Sequence, residues 1–100
     1  MNTLEYIKKL TSIPSPTGYT EEIMEYIMNE TKGFGYSPFK TNKGGVIVTV
    51  RGKNDEKHRL VTAHLDTLGA MVRAIKSDGR LKMDLIGGFT YASIEGENCI

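Results

Sequence analysis

Residues 60–69 read Leu60-Val61-Thr62-Ala63-His64-Leu65-Asp66-Thr67-Leu68-Gly69, an apolar run that passes directly into His-x-Asp and a glycine. The run predicts a strand over Leu60–Ala63, and the polar pair sits where that strand leaves its sheet. In open α/β sheets functional groups collect at the carboxyl ends of strands, where side chains face a crevice. His64 and Asp66 are separated by one residue, so extended backbone points both to the same side. A neutral imidazole suits zinc or cobalt. A carboxylate at this spacing can take the proton of the other ring nitrogen and so fix tautomer and orientation. The spacing alone leaves a second reading open, in which His64 is a satisfied strand-end histidine and Asp66 caps a turn.

Upstream of this stretch the pattern is helical. Leu4, Ile7 and Leu10 recur at helical spacing, and Asn2 with Glu5 reads as a capping box. Pro14 disfavours helical geometry at Ile13, which ends the first helix near Ser12. Ile13-Pro14-Ser15-Pro16-Thr17-Gly18 is then a rigid loop. Thr20 is the expected N-cap of a second helix, with Ile23, Met24, Ile27 and Met28 as its buried stripe and Gly33 as its stop. Strand signals follow. Pro38–Thr41 is extended, Gly44-Gly45 turns, and Val46–Val50 reads as a buried strand. Gly52–Lys57 is a charged turn. Downstream of the His-x-Asp pair, Ala70–Ile75 and Arg80–Ile86 are two strands joined by the hairpin signal Ser77-Asp78-Gly79. Gly87-Gly88 breaks the pattern, Glu95–Asn98 is another turn, and Cys99-Ile100 enters a further strand.

The bulk numbers bound the function. One hundred residues make one small domain. The 13 Lys+Arg against 12 Asp+Glu lack the basic excess that a nucleic-acid surface needs. No apolar run approaches the roughly 20 residues of a membrane span, and Met1-Asn2-Thr3-Leu4-Glu5 lacks the layout of a secretion signal. The single cysteine, Cys99, excludes an internal disulfide and a cysteine-built zinc cage. These features predict a cytoplasmic α/β chain. His58, between Lys57 and Arg59, reads as solvated, and Met24 and Met28 as packing. Ser12, Ser15 and Thr17 have no histidine nearby in sequence to activate a hydroxyl nucleophile.

Ala63-His64-Leu65-Asp66-Thr67-Leu68-Gly69-Ala70-Met71-Val72 resembles the first metal motif of the dinuclear metalloaminopeptidases that include the glutamyl, deblocking and tetrahedral aminopeptidases. The usual form of that motif is Ala-His-x-Asp-Glu-(Ile/Val)-Gly before a hydrophobic strand. Ile13–Gly18 is similar to the family's N-terminal loop, and Asn42-Lys43-Gly44-Gly45-Val46-Ile47 to its strand-turn before the motif. Gly87-Gly88-Phe89 resembles the Gly-Gly-aromatic signature that leads into the family's inserted β-rich dimerisation domain. Thr67 departs from the pattern, standing where many members carry Glu.

The resemblance implies an α/β fold: the N-terminal part of a metallopeptidase sandwich over residues 1–70, then over 71–100 its last strand region and the start of an inserted all-β domain. It implies a peptidase with two divalent ions, zinc or cobalt, a peptide substrate, and assembly into a homo-oligomer. His64 would be a metal ligand, Asp66 the residue acting through it, and helix 1 with the Pro-rich loop would be scaffold. The remaining ligands and the general base of such a site lie outside these residues, which implies an N-terminal fragment, inactive alone and prone to pair through open strand edges. Two other classes stay open. A carboxypeptidase or desuccinylase also places His-x-Asp after a strand, but Leu68–Val72 and the following hairpin fit that group less well. A non-catalytic assembly or binding module would use the all-β second half for partner contacts.

Overall fold

The N-terminal helix α1 spans Thr3–Thr11, and its start is the expected capping box. The Glu5 amide donates to Asn2 Oδ1 at 3.0 Å and the Asn2 amide donates to Glu5 Oε2 at 2.8 Å. Each satisfies a donor that a helix start leaves orphaned. The computed structural model describes residues 1–54 and 56–100. Asp55, inside the expected Gly52–Lys57 turn, lies outside the described residues.

Helix α2 spans Glu21–Gly33 with Thr20 at its N-cap position, although the Thr20 hydroxyl makes no capping bond. Its stop is displaced from the expected glycine. Gly33 is the last helical residue, and it is Gly35, at φ +85°, that adopts the left-handed conformation. The Gly35 amide donates to the Lys32 carbonyl at 2.9 Å and the Tyr36 amide to the Thr31 carbonyl at 3.1 Å. This is the paired-bond Schellman ending, which needs a residue without a Cβ at the left-handed position. Of the expected stripe on α2, Ile23 is fully buried and Met24, Ile27 and Met28 are half-buried. Tyr6 of α1 ties the two helices together: its hydroxyl donates to Glu30 Oε2 at 3.0 Å and its ring meets Phe34 edge-on at 6.4 Å. Burial, then that hydrogen bond to Glu30, holds the Tyr6 phenol above its usual range.

Two antiparallel hairpins follow. Strands β1 (Phe39–Lys40) and β2 (Val46–Ile47) are joined by a turn closed by the Thr41 amide on the Gly45 carbonyl at 2.7 Å, with Gly44 at φ +86°. Strands β3 (Gly69–Ile75) and β4 (Leu81–Ile86) pair as their alternation predicts, around a turn with Gly79 at φ +83°. A bulge between Val72 and Ala74 shifts their register. That extra residue resets the alternation. Ala70, Val72 and Ile75 therefore share one face with their partners Leu85, Met83 and Leu81, an apolar face carried by one hairpin. Gly87 follows at φ +92°, where an added Cβ would collide with Leu68. A short 3-10 helix, Tyr91–Ile94, is the last element.

Four strand expectations fail here. Leu60–Ala63 forms no strand, and Leu60 and Val61 stay exposed. Val46–Val50 is cut to β2, and Val50 is exposed. A β-branched run states what suits a pleated surface, but a ladder needs a partner strand to take its N–H and C=O groups, and among the described residues β1 reaches Val46–Ile47 and no strand pairs with Val48–Val50 or with Leu60–Ala63. The stretch after residue 70 is not strands alone, since it holds the 3-10 turn, and Cys99-Ile100 joins no ladder. The architecture is mixed α/β, with two helices followed by small antiparallel pairs. Its radius of gyration is 17.8 Å, against about 13 Å for a close-packed chain of this length. Among the described residues the buried side chains are accordingly few: Ile13, Ser15 and Ile23.

The displaced helix stop gives a paired test. Gly33→Ala meets open space on a helical backbone and should stabilise the chain by about 0.5–1 kcal/mol. Gly35→Ala forces a Cβ into the left-handed region and should cost about 1–2 kcal/mol. Denaturant unfolding of the two variants should therefore move in opposite directions; a loss in Gly33→Ala with none in Gly35→Ala would place the stop at Gly33 instead.

Candidate functional site

The site is built by a contact between two segments far apart in sequence. Residues 15–17 of the Pro-rich loop lie parallel to residues 65–67, with a bridge between Pro16 and Thr67. The Thr67 amide donates to the Ser15 carbonyl at 2.8 Å, and the Thr17 amide to the Thr67 carbonyl at 3.4 Å. Ser15 is 1% exposed, and its hydroxyl donates to the Leu65 carbonyl at 2.8 Å. Buried hydroxyls are mostly paired in this way, and this bond pins the loop just before Asp66. Gly69 completes the fit, because a Cβ there would come within 2.6 Å of Pro16 Cβ. Proline fixes the loop's backbone and glycine lets it approach.

On this pairing stand His64 and Asp66. His64 Nδ1 is 2.9 Å from Asp66 Oδ1 and 3.2 Å from the Asp66 carbonyl oxygen. A carboxylate and a carbonyl only accept, so Nδ1 carries the ring proton and donates it. In the neutral ring Nε2 therefore keeps its lone pair. The His64 side chain is 85% exposed, which leaves that nitrogen accessible. The other carboxylate oxygen of Asp66 is also held: Thr17 Oγ1 donates to Oδ2 at 2.6 Å. The Thr17 bond and then the His64 bond keep the Asp66 carboxyl below its usual range, against a smaller opposing effect of burial.

The pair opens onto a cleft of about 650 Å³ between the loop, α2 and the β1–β2 turn, lined among others by Thr17, Glu21, Lys43, His64 and Asp66. Glu21 is paired with Lys40 across it. The imidazole nitrogen has the chemistry of a zinc or cobalt ligand. Among the described residues no group of three His, Cys, Asp or Glu side chains could hold an ion. The donor set thus fits one ligand of a metal site and does not fit a complete one.

The sequence pairing of His64 with Asp66 is met in the fold. Asp66 approaches His64 without the regular strand that was expected to aim both. His58 and Cys99 are exposed and lie outside the site. What the sequence missed is Thr17 and Ser15. Read for a histidine beside a hydroxyl, both seemed idle; their partners are 49 and 50 positions away. The local signal that could have found them is the Pro-x-Pro-Thr-Gly layout, which stiffens a segment able to lie against another backbone.

The comparisons agree with the motifs. The sequence profile of the M42 glutamyl aminopeptidases matches residues 44–100. The chain is 57% identical over 97 residues to YhfE of Bacillus subtilis (strain 168), a protein named as an aminopeptidase, covering 97% of this chain and 28% of that protein. It is 31% identical over 98 residues to the glutamyl aminopeptidase of Lactococcus lactis subsp. cremoris (strain MG1363), with 97% and 28% covered. A third protein named as an aminopeptidase, from Acetivibrio thermocellus, is 34% identical over 93 residues, 93% of this chain and 28% of that one. The chain thus spans about 28% of the length of these curated relatives. No helix among the described residues is long and apolar enough to cross a membrane.

The loop contact is open to test. Gly69→Ala should push Pro16 away and cost about 1–3 kcal/mol, as overpacked sites do. Hydrogen exchange of the Thr67 amide, the donor to Ser15, should speed up more than that of amides in α2. Unchanged protection would show that the loop and the His-x-Asp segment are held by something else.

Proposed function

Because the chain belongs to the M42 glutamyl aminopeptidase family, we propose that the complete protein is a metal-dependent aminopeptidase, with His64 and Asp66 as this chain's share of its active site. The observation that carries the reading is the placement of His64 Nδ1 at 2.9 Å from Asp66 Oδ1. Nδ1–H is spent on Asp66, and Nε2 is left as an accessible lone pair on a cleft. A strand-end histidine with both nitrogens satisfied would not leave that donor free.

In this reading His64 binds one of two divalent ions, zinc or cobalt. Asp66 holds the imidazole proton and orients the ring, which raises its basicity as a ligand. When bound, the ions supply Lewis acidity for the scissile carbonyl and for the attacking water. The substrate is a peptide, entering by its free N-terminal amine. Residues 1–70 belong to the catalytic domain, and residues 71–100 lead into a β-rich insertion through which copies of the chain assemble. The apolar face of the β3–β4 hairpin supports that last point, since such a face is normally covered. The cellular site proposed is the cytoplasm.

In the complete protein His64→Ala should remove one ion per active site and nearly all hydrolysis of aminoacyl chromogenic substrates. Asp66→Asn should keep the ion more weakly and cost roughly 10–100-fold. Metal analysis with steady-state kinetics checks both; two bound ions and unchanged turnover in each variant would overturn the assignment. The 100-residue chain alone, supplied with zinc or cobalt, should be inactive, because a catalytic zinc needs about three protein ligands. Hydrolysis by that chain free of contaminating peptidase would contradict the donor count.

A further inference from the structure

Each oxygen of the Asp66 carboxylate has its own partner: Oδ1 faces His64 Nδ1 at 2.9 Å, and Oδ2 accepts from the Thr17 hydroxyl at 2.6 Å. We propose that Thr17 is a positioning residue of the site, acting through Asp66 to set the tautomer and direction of His64; the inference rests on reading His64 as a metal ligand.

The torsion that turns a carboxylate is broad and roughly two-fold, so rotamer preference alone does not aim Asp66. Asp66 is also 38% exposed, which lets water compete for its oxygens. A second bond, to the oxygen that does not face the histidine, removes that rotation. Thr17 is suited to the task because its β-branched side chain has few rotamers and its backbone is held on both sides. The Thr17 amide donates to the Thr67 carbonyl, and the Tyr19 amide donates to the Pro16 carbonyl at 2.8 Å. Docking of the loop does not need the hydroxyl. The Ser15–Thr67 backbone bond, the Ser15–Leu65 bond and the Pro16–Gly69 contact hold the loop without it. Among the described residues the hydrogen-bond partner of the Thr17 hydroxyl is the carboxylate that faces His64 Nδ1.

The test uses the complete protein, stripped of metal, as Thr17→Val, Thr17→Ser and His64→Ala. Two readouts do not depend on turnover: the Nδ1–H fraction of His64 from nitrogen-15 spectra of labelled histidine, and zinc affinity by calorimetry. Thr17→Val, of equal shape without the donor, should shift His64 toward the Nε2–H tautomer. It should also weaken one zinc site by about threefold to tenfold, less than the roughly 10–100-fold expected when a ligand's direct partner is lost. Thr17→Ser should restore both, with the Thr67 amide protected as in the parent. Parent-like tautomer and affinity in Thr17→Val would overturn the proposal, as would failure of Thr17→Ser to rescue, or a Thr17→Val protein that does not fold while Thr17→Ser does. If His64→Ala keeps full zinc stoichiometry, the reading of the site itself fails and this proposal falls with it. If His64→Ala loses one ion while Thr17→Val binds like the parent, the role of Thr17 alone is refuted.

Discussion

The Thr67 amide donating to the Ser15 carbonyl is the bond on which the rest of the site depends. It joins a loop near the N-terminus to a segment from the second half of the chain that, among the described residues, lies in no sheet. With Ser15 buried and bonded to the Leu65 carbonyl, it fixes the backbone on either side of Asp66. Buried polar groups that are fully paired define one arrangement, because each alternative leaves a donor or acceptor unsatisfied. The loop thereby substitutes locally for a neighbouring strand. It presents Thr17 to one carboxylate oxygen of Asp66 and leaves the other for His64.

The constraint also accounts for two glycines that carry little meaning in isolation. Gly69 admits Pro16 at a distance that a side chain would forbid, and Gly87, directly after β4, adopts a positive φ beside Leu68. Gly69 and Ile86 are register partners. Both tight approaches therefore flank the paired end of the hairpin that starts just after the His-x-Asp segment. Loop, polar pair and hairpin are joined at one place in the fold.

What was legible in the sequence is what neighbouring residues decide among themselves. The capping box at Asn2 and Glu5, the helix α2, and the two hairpin turns at Gly44 and Gly79 depend on bonds within a few positions. The contact of His64 with Asp66 belongs to the same kind, since the two stand two positions apart. The Schellman ending was misplaced by two residues because two glycines compete there and only the backbone geometry selects Gly35 over Gly33. Leu60–Ala63 was misread for a different reason: strand formation belongs to a pair of segments, and hydrophobicity describes one of them. Thr17 and Ser15 are not legible from their sequence neighbours, because the partners of their hydroxyls, Asp66 and Leu65, come from the far half of the chain.

The central claim is that the fold spends Nδ1 of His64 on Asp66 so that Nε2 can take a metal ion. The most direct measurement is a crystal structure of the complete protein grown with zinc or cobalt, with anomalous scattering used to place the ions. The account predicts an ion at His64 Nε2, with Asp66 Oδ1 on Nδ1 and Thr17 on Oδ2 as they stand here. An ion bound through Nδ1 with Asp66 displaced, or ions in the site with His64 turned away from them, would contradict it.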